Sequence, residues 1–485
     1  MKIVTLLLTL FVSCHSLALN YNEVQQKSSH NSYGRDEGIL DQLIYHRVRS
    51  IEFDLYRSKI GRPSLQDNWY VYHTPVFDTK TNCDTFKSCL KELQTFDRLH
   101  PQHEVVTVWF DIKDGFSGAK SPEALDRLIT QYIDREDILK PQDLYRACPG
   151  ASNLKRSVSQ GCSWPNLNQL KGKWILVFTD TSYASNRPYR LGFSSAAVDR
   201  KSQVDSSSKI FFNTGSSDTS LFKYVQQKGF VVRRYVVDGD NGFNNSLLAG
   251  AHHIATNKIN YHKDSWSRTH NGKGWPFECF SKSCTNQQED ANILRVSVNS
   301  EDIWGSRDNF SFFYLNRASS NSRWISGIHT ASSHVDKFAK GCVMARSELS
   351  NNSPYFAVCR PADDNPLRVQ WRDSYAGGTQ SRSVTISGAS GISQKDLSFV
   401  KLDIYDEGRC AVAFGSRDGR EWTKIMSRCF SNRLSYQGLA ASSHGNNNIN
   451  MLFSDLKLWG SSVNSSQLKK ANIGTVRSAS ISNHP

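Results

Sequence analysis

Residues 105–112, Val-Val-Thr-Val-Trp-Phe-Asp-Ile, form a nearly continuous run of β-branched and aromatic residues. A run that is apolar on both faces is typical of a parallel strand that is covered on both sides. It carries Asp111 close to its carboxyl end, where (β/α)₈ barrels build their active sites from the loops that follow the strands. The stretch therefore predicts an α/β fold with an active site at the carboxyl end of this strand.

Similar runs recur along the first half of the chain, and helical patterns separate several of them. In residues 122–133, for example, apolar residues recur at helical spacing behind a Ser-Pro start. Strand and helix alternate over roughly 250 residues, the usual length of a (β/α)₈ barrel. We therefore predict a TIM-like barrel over residues 19–260, with strands at 24–29, 49–56, 105–112, 174–179, 209–213, 230–237 and 253–259.

The second half has a different pattern, since short alternating runs are separated by Gly, Asn, Asp and Ser. This pattern predicts an all-β sandwich over residues 293–460. Residues 261–292 are rich in Lys, Ser, Asn and Gly and are expected to form a linker or an edge loop, and the Ser- and Asn-rich tail 461–485 is expected to be disordered. The predicted sandwich strands are 310–315, 324–329, 355–360, 367–371, 383–386, 398–405, 411–416 and 451–459.

Two carboxylates in the second predicted strand point to a metal. Glu52 and Asp54 alternate with apolar residues, so both project from one face of the strand, where they repel unless a cation lies between them. A lone histidine is usually structural, and a lone Asp after a strand is usually a helix cap. Taken together, however, His30, Asn31, Glu52, Asp54, His73 and Asp111 are the residue types that metal-assisted phosphodiester cleavage needs.

Several motifs resemble the calcium-dependent phosphoinositide-specific phospholipase C family, in its secreted bacterial-type branch. The resemblance runs from about residue 21 to 260, with Asn257 where the family pattern leads us to expect Asp, and with Arg234 as the one alignable arginine of an Arg-rich strand. The motifs are Ser-Ser-His-Asn-Ser-Tyr (28–33), Ile-Glu-Phe-Asp (51–54), Tyr-His-Thr-Pro (72–75), Cys83 to Cys89-Leu90, His-Pro-Gln-His (100–103) and Phe-Asp-Ile-Lys-Asp (110–114).

The resemblance implies cleavage of phosphatidylinositol or a phosphoinositide into inositol phosphate and diacylglycerol. It implies a Ca²⁺ ion held by Asn31, Glu52, Asp54 and Asp111, which fits the preference of calcium for oxygen ligands. His30 is expected to act as general base and His73 as general acid, with Glu52 as an alternative base. Lys113 and Arg234 are expected to contact the substrate.

In the second half, residues 302–305, 339–346 and 416–423 resemble the concanavalin A-like jelly-roll domains of secreted bacterial enzymes. None of the candidate catalytic residues lies in this part. We therefore expect the sandwich to fold alone and to attach the enzyme to a glycan or another surface ligand.

The start of the chain and its cysteines indicate secretion. A charged start, a short apolar run and a Ser-Leu-Ala site predict a signal peptide over residues 1–18. Of the 11 cysteines, the ten that remain without Cys14 lie in near pairs, which favours disulfides over zinc sites. The predicted pairs are Cys83–Cys89, Cys148–Cys162, Cys279–Cys284, Cys342–Cys359 and Cys410–Cys429.

The formal net charge of +14 favours contact with an anionic phospholipid surface, although it can also serve solubility alone. Neither a basic-aromatic stripe nor a Gly-rich phosphate loop is present, so no nucleic-acid partner is expected; we expect a monomer. Two alternatives stay open: a glycerophosphodiester phosphodiesterase on the same barrel, and a non-catalytic surface- or glycan-binding protein. The first lacks its His-Arg-Gly start, because Asn31 follows His30, and the second does not account for the retained site residues.

Overall fold

A computed structural model provides the structure of the chain. It describes residues 19–159, 161–179, 183, 190–260, 263–267, 277–279, 293–299, 302–317, 321–332, 335–362, 366–384, 397–445, 447–474 and 478–483. The predicted signal peptide and most of the predicted linker lie outside these ranges. No helix within them is long and apolar enough to cross a membrane.

The first half is a closed barrel of eight parallel strands, as the sequence predicts. The barrel strands, with three short additional strands, are β1 (Val24–Ser29), β2 (Ser50–Tyr56), β3 (Tyr70–Val71), β4 (Val106–Ile112), β5 (Ile138–Leu139), β6 (Trp174–Phe178), β7 (Phe193–Ala197), β8 (Phe211–Thr214), β9 (Val231–Arg234), β10 (His253–Thr256) and β11 (Phe277–Cys279). The barrel strands pair in the order β1, β2, β4, β6, β7, β8, β9, β10, and β10 pairs back with β1.

Helices follow most of these strands and cover the outside of the barrel. The helix at 122–133 was predicted too long: it begins at Pro122, with the Ser121 side chain accepting from the Ala124 amide, and ends at Ile129. The helices are α1 (Ile39–Ile44), α2 (Phe86–Leu99), α3 (Pro122–Ile129), α4 (Pro141–Ala147), α5 (Lys201–Ser206), α6 (Thr219–Gln227) and α7 (Asp240–Leu248).

Alternation along β2 and β4 separates the core from the site. Ile51 and Phe53 are fully buried in the apolar cluster that includes residues of α1 and α2. Glu52 and Asp54 project to the opposite face, into the barrel, and Asp54 stands opposite Asp111 in the parallel pairing of the two strands. The predicted common face of the two carboxylates is therefore confirmed.

The second half is a sandwich of two antiparallel sheets. The strands are β12 (Ile293–Asn299), β13 (Phe310–Asn316), β14 (Ser322–Thr330), β15 (Lys340–Arg346), β16 (Tyr355–Pro361), β17 (Arg368–Arg372), β18 (Gln380–Ser383), β19 (Phe399–Tyr405), β20 (Cys410–Ser416), β21 (Thr423–Cys429), β22 (Tyr436–Ser442), β23 (Ile449–Leu458), β24 (Ser461–Ser462), β25 (Lys469–Ile473) and β26 (Ser478–Asn483). One sheet has the order β21-β20-β19-β14-β23-β12-β26, and the other has the order β18-β17-β16-β15-β22-β13-β25.

The tail differs from the sequence expectation. Residues 461–485 were expected to be disordered, but β25 pairs with β13 and β26 pairs with β12. The backbone of a polar segment forms ladder hydrogen bonds as well as that of an apolar one, and Ile473 is buried in the sandwich. The tail strands thus form an edge of each sheet.

The barrel and the sandwich share a buried interface. The Tyr45 hydroxyl and the Ser454 hydroxyl are 2.8 Å apart, and the Arg360 guanidinium contacts the Asp41 carboxylate at 3.0 and 3.2 Å. One apolar cluster runs from α1 and α2 into the sandwich, where it includes Phe399. Removal of the sandwich would therefore expose apolar surface of the barrel helices.

Four of the predicted disulfides are present: Cys83–Cys89, Cys148–Cys162, Cys342–Cys359 and Cys410–Cys429. The last two join residues that stand directly opposite each other on neighbouring strands. The predicted pair Cys279–Cys284 lies outside the described residues, since Cys284 is not among them.

Candidate active site

The candidate residues gather at the carboxyl ends of the barrel strands. His30 and Asn31 directly follow β1, and Asn31 has a left-handed backbone with φ of 46°. Asn tolerates this conformation better than most residues, and here it lets the backbone N–H of Asn31 donate to Glu52 Oε2 at 2.9 Å. The turn after β1 is thus tied to the first carboxylate of β2.

Glu52 is held by an arginine from the opposite side of the barrel. Arg233 of β9 donates to Glu52 Oε2 at 2.6 Å and to Asn213 Oδ1 at 3.1 Å, and its guanidinium lies 5.3 Å from the centre of the Trp109 ring. Burial raises the pKa of Glu52, but the charge of Arg233 outweighs it and holds the pKa below the usual value. Glu52 is therefore ionised at neutral pH.

Asp54 has a different environment. Burial, together with the neighbouring charge of Glu52, raises the pKa of Asp54 to about 8. Neither of its carboxylate oxygens accepts a hydrogen bond of normal geometry within the described part of the chain. A buried acid without such partners is costly to keep charged, so this position calls for a further cation.

Lys113 partly supplies that charge. Its ammonium lies 3.0 Å from Asp54 Oδ2 and 2.6 Å from Asp111 Oδ2, and it therefore bridges the two strands. Burial lowers the pKa of Lys113, but the two carboxylates outweigh it and raise the pKa above the usual value. Asp111 also accepts a hydrogen bond from Thr179 at 2.9 Å.

The residues present fit a hard divalent cation. Among the described residues, no group of three or more His, Cys, Asp or Glu side chains is arranged closely enough to hold a metal ion. Within the described part of the chain, the carboxylates of Glu52, Asp54 and Asp111 nevertheless pair with two cations, Lys113 and Arg233. Burial first, and the neighbouring negative charge second, raise the pKa of Asp54. Oxygen donors without thiolates are the ligands that calcium prefers.

His30 lies beside a polar chain that orients it. Its Nδ1 is 3.1 Å from Asn257 Oδ1, while the Asn257 side-chain amide donates to Asp238 Oδ2 and the Asn257 backbone amide donates to Asp238 Oδ1 at 2.6 Å. Because Asp238 can only accept, the Asn257 oxygen must face His30 and accept the Nδ1 proton. The lone pair of His30 is thereby placed on Nε2, and burial lowers the pKa of His30, which favours this neutral form.

His73 comes from the loop after β3 and is the more open of the two histidines. Its side chain is 38% exposed, and Nδ1 lies 3.2 Å from Asp78 Oδ2. The Tyr56 hydroxyl donates to the His73 carbonyl at 2.9 Å and so fixes the loop to the end of β2.

Arg234 needs a correction. It was expected to contact the substrate, but its guanidinium points away from the barrel interior and donates to the Gly242 carbonyl and the Ser246 hydroxyl of α7. Arg233 takes the inward position instead. Two adjacent arginines look alike in a sequence, and only the pairing of Arg233 with His253 of β10 decides which one points inward.

Sequence reasoning also missed Trp109 and His253, which lie in the barrel interior beneath the carboxylates. The Trp109 indole donates to His253 Nδ1 at 2.9 Å. Burial lowers the pKa of His253 far below its usual value, so this imidazole is neutral. Trp109 looked like an ordinary member of an apolar strand, and only its alternation with Phe110 could have indicated an inward position.

The family model described as "Phosphoinositide phospholipase C, Ca2+-dependent" matches residues 62–246. The barrel is thus similar to the phosphoinositide phospholipases C. The matched span includes His73, Asp111, Lys113 and Arg233, whereas His30, Asn31, Glu52 and Asp54 precede it. At the coarse level, this match supports a phosphodiester hydrolase, and the resemblance stated from the motifs is confirmed.

Solved structures similar to the chain include three bacterial proteins. A calcium-dependent phosphoinositol-specific phospholipase C from Pseudomonas sp is 22% identical over 54% of this chain and 95% of its own, with a TM-score of 0.46. A phosphatidylinositol-specific phospholipase C from Streptomyces antibioticus is 18% identical over 49% of this chain and 94% of its own (TM-score 0.42), and a glycerophosphodiester phosphodiesterase from Parabacteroides distasonis is 12% identical over 48% and 92% (TM-score 0.31). No curated protein matches the chain.

Proposed function

We propose that the chain is a calcium-dependent phosphodiesterase that cleaves phosphatidylinositol or a phosphoinositide into an inositol phosphate and diacylglycerol. The observation that carries this proposal is Asp54, a buried carboxylate beside Glu52 and Asp111 that shares the single ammonium of Lys113 with Asp111. Such a position gains most from a bound cation, because the ion removes both the desolvation cost and the repulsion.

In this proposal Asn31, Glu52, Asp54 and Asp111 would hold the calcium ion. When bound, calcium supplies Lewis-acid chemistry, which acidifies the attacking 2-hydroxyl of inositol and neutralises charge on the phosphoryl oxygens. The Lys113 ammonium stands between Asp54 and Asp111, beside the oxygens that would hold the ion. This position keeps Lys113 as a candidate contact to a phosphoryl oxygen of the substrate.

The two histidines would move the proton. His30 Nε2, which has a free lone pair because Asn257 accepts the Nδ1 proton, receives the proton of the 2-hydroxyl. His73, which is half-exposed at the barrel mouth, protonates the diacylglycerol oxygen as that oxygen leaves. These steps form the bond from the inositol 2-oxygen to phosphorus and break the bond from phosphorus to the diacylglycerol oxygen, so the first products are an inositol 1,2-cyclic phosphate and diacylglycerol. Water then opens the cyclic ester with the roles reversed: His73 takes a proton from the water and His30 returns its proton to the 2-oxygen. The products are an inositol phosphate and diacylglycerol, and both histidines regain their starting protonation.

The barrel mouth also suits a membrane substrate. Large apolar side chains are exposed in loops that follow barrel strands: Ile60 after β2, Val76 and Phe77 after β3, and Tyr235 and Val236 after β9. These loops lie at the same end of the barrel as the candidate site. Exposed apolar side chains that group around a site mark a contact surface, and an anionic phospholipid bilayer fits both them and the net charge of +14.

The test measures inositol phosphate released from phosphatidylinositol vesicles, with calcium and then with excess chelator. Activity should require calcium, and Asp54→Asn should raise the calcium concentration needed for half-maximal rate at least tenfold. Asp137→Asn, which changes an Asp paired with Lys173 at the opposite end of the barrel, is the matched control. Full activity in chelator would refute the calcium assignment, and preferential cleavage of glycerophosphocholine would refute the lipid assignment.

A further inference from the structure

A pocket on the outer face of one sandwich sheet lies outside the barrel site. It encloses about 260 Å³ and is lined by Asp302, Trp304, Phe338, Lys340, Pro361, Arg368, Gln370 and His444. This volume is just below the ~300–1,000 Å³ typical of small-molecule sites, so the pocket suits a single ring. We propose that it binds one sugar ring that carries an acidic group, a carboxylate or a sulfate, and thereby attaches the enzyme to an acidic glycan.

The first support is a pair of exposed aromatic side chains in one pocket. Trp304 is 46% exposed and Phe338 is 37% exposed. The flat apolar face of an aromatic ring can cover the C–H face of a sugar ring, whereas the polar edge of the sugar stays open to hydrogen bonds. Two such rings at one pocket favour a ring-shaped ligand with one apolar face.

The second support is the rigidity of the loop that carries Trp304. On one side of it Ile303 is fully buried, and on the other side the Gly305 carbonyl accepts from Arg372 at 3.0 Å and from the Thr379 amide at 2.8 Å. Asp308 further along is buried in an ion pair with Arg372 at 2.6 Å. The backbone that carries the exposed indole is therefore held in place, so the loop loses little conformational entropy when a ligand binds.

The third support is a buried side-chain amide at the pocket. Gln370 is only 2% exposed yet lines the pocket. Its side chain offers both a hydrogen-bond donor and an acceptor, and a sugar hydroxyl can pair with either.

Arg368 decides the charge of the ligand. Lys340 is buried and paired with Asp302, and His444 lies near Asp336 at 3.0 Å. Arg368 forms no ion pair with any described residue, and its guanidinium lies 6.0 Å from the centre of the Phe338 ring. A planar guanidinium is suited to carboxylate or sulfate, so the pocket should prefer an acidic sugar to a neutral one.

The test uses the full-length protein in the presence of chelator, so that catalysis does not contribute. Binding of sodium glucuronate, glucose 6-sulfate and glucose is measured by saturation-transfer NMR and titration calorimetry. Wild type should bind the two acidic sugars at least fivefold more tightly than glucose. Trp304→Ala should weaken this binding at least fivefold, Trp304→Phe should retain it, and Arg368→Gln should remove the preference for acidic sugars.

Trp459→Ala is the matched control, because Trp459 is 55% exposed but lies outside the pocket, and it should bind as wild type does. The proposal is overturned if wild type binds neither acidic sugar, or if folded Trp304→Ala and Arg368→Gln bind both as wild type does. It is also overturned if inositol 1-phosphate binds in a Trp304-dependent way while the acidic sugars do not, since the pocket would then recognise a lipid head group.

Discussion

Replacing Asn257 with alanine tests the polar chain that orients His30. The change removes the hydrogen bond between His30 Nδ1 and Asn257 Oδ1, a distance of 3.1 Å, and leaves the Asp238 carboxylate in place. His30 then loses the acceptor that fixes its tautomer, so part of the enzyme carries the proton on Nε2 and cannot act as base. We expect a lower kcat with an unchanged melting temperature.

The size of the effect follows from the contact. A neutral hydrogen bond contributes about 0.5–1.5 kcal/mol net. Since about 1.4 kcal/mol corresponds to a factor of ten in rate, Asn257→Ala should lower kcat about two- to thirteenfold. Complete loss of a general base lowers kcat about 10²–10⁴-fold, so the kcat of Asn257→Ala should stay well above that of His30→Ala.

Asp238→Asn should have a larger effect than Asn257→Ala. The new side-chain NH₂ would face the NH₂ group of Asn257, so the Asn257 amide would flip and present a donor to His30. His30 Nδ1 would then have to accept, which places the proton on the nitrogen that should act as base.

The assay is the initial rate of inositol phosphate release from phosphatidylinositol in mixed micelles, at saturating calcium and substrate, with a thermal melt of each variant. Asn245→Ala on α7, an exposed asparagine, controls for loss of an amide. If Asn257→Ala and Asp238→Asn both retain the kcat of wild type, the orienting chain plays no part in catalysis.

Three further predictions concern the histidines and the interface. His30→Ala and His73→Ala should each lower kcat about 10²–10⁴-fold in the same assay without a change in melting temperature; a variant with the rate of wild type would exclude its residue from the mechanism. Arg360→Met should lower the free energy of unfolding, measured by urea denaturation, by about 3–5 kcal/mol, because the Asp41 carboxylate stays buried without the Arg360 guanidinium. The further change Asp41→Asn should recover much of this loss, and an unchanged unfolding curve for Arg360→Met would contradict the pairing. Burial raises the pKa of Asp41, but Arg360 and His329 outweigh it and hold the pKa of Asp41 well below the usual value. The ionised Asp41 therefore stabilises the fold fully above the pKa of Asp in the unfolded chain, about 3.9, and this stabilisation is lost as the pH falls toward the pKa of Asp41 in the folded protein. The difference in melting temperature between wild type and Asp41→Asn should therefore shrink as the pH falls below about 4, and a difference that grows with acid over that range would refute this sign.

The barrel could be predicted where burial leaves a pattern in the sequence. A strand was identified by the long apolar runs at β4 and β6 and by the alternation along β2. The alternation along β2 also gave the inward direction of Glu52 and Asp54. β7 was missed because Phe193-Ser-Ser-Ala-Ala is made mostly of small residues that carry little hydrophobic signal. Small side chains at a barrel strand still pair through the backbone, and the sequence does not display that pairing.

In the site, residue types were predictable but their contacts were not. The set of carboxylates could be named from the sequence because hard oxygen ligands and a strand end suffice to suggest it. The inward position of Arg233 depends on the pairing of β9 with β10, and the bridge formed by Lys113 depends on the pairing of β2 with β4. Strand register depends on residues far apart in the sequence, and a shift of one residue moves every side chain of a strand to the other face of the sheet.

The interface between α1 and the sandwich has a consequence for synthesis of the protein. Tyr45 meets Ser454 across 409 residues of chain. At about 5–20 residues per second, the ribosome needs about 20 to 80 s to make that stretch. For this time the nascent barrel displays the apolar surface that Phe399 and its neighbours later cover, and exposed apolar surface of this kind promotes aggregation until the last strands emerge.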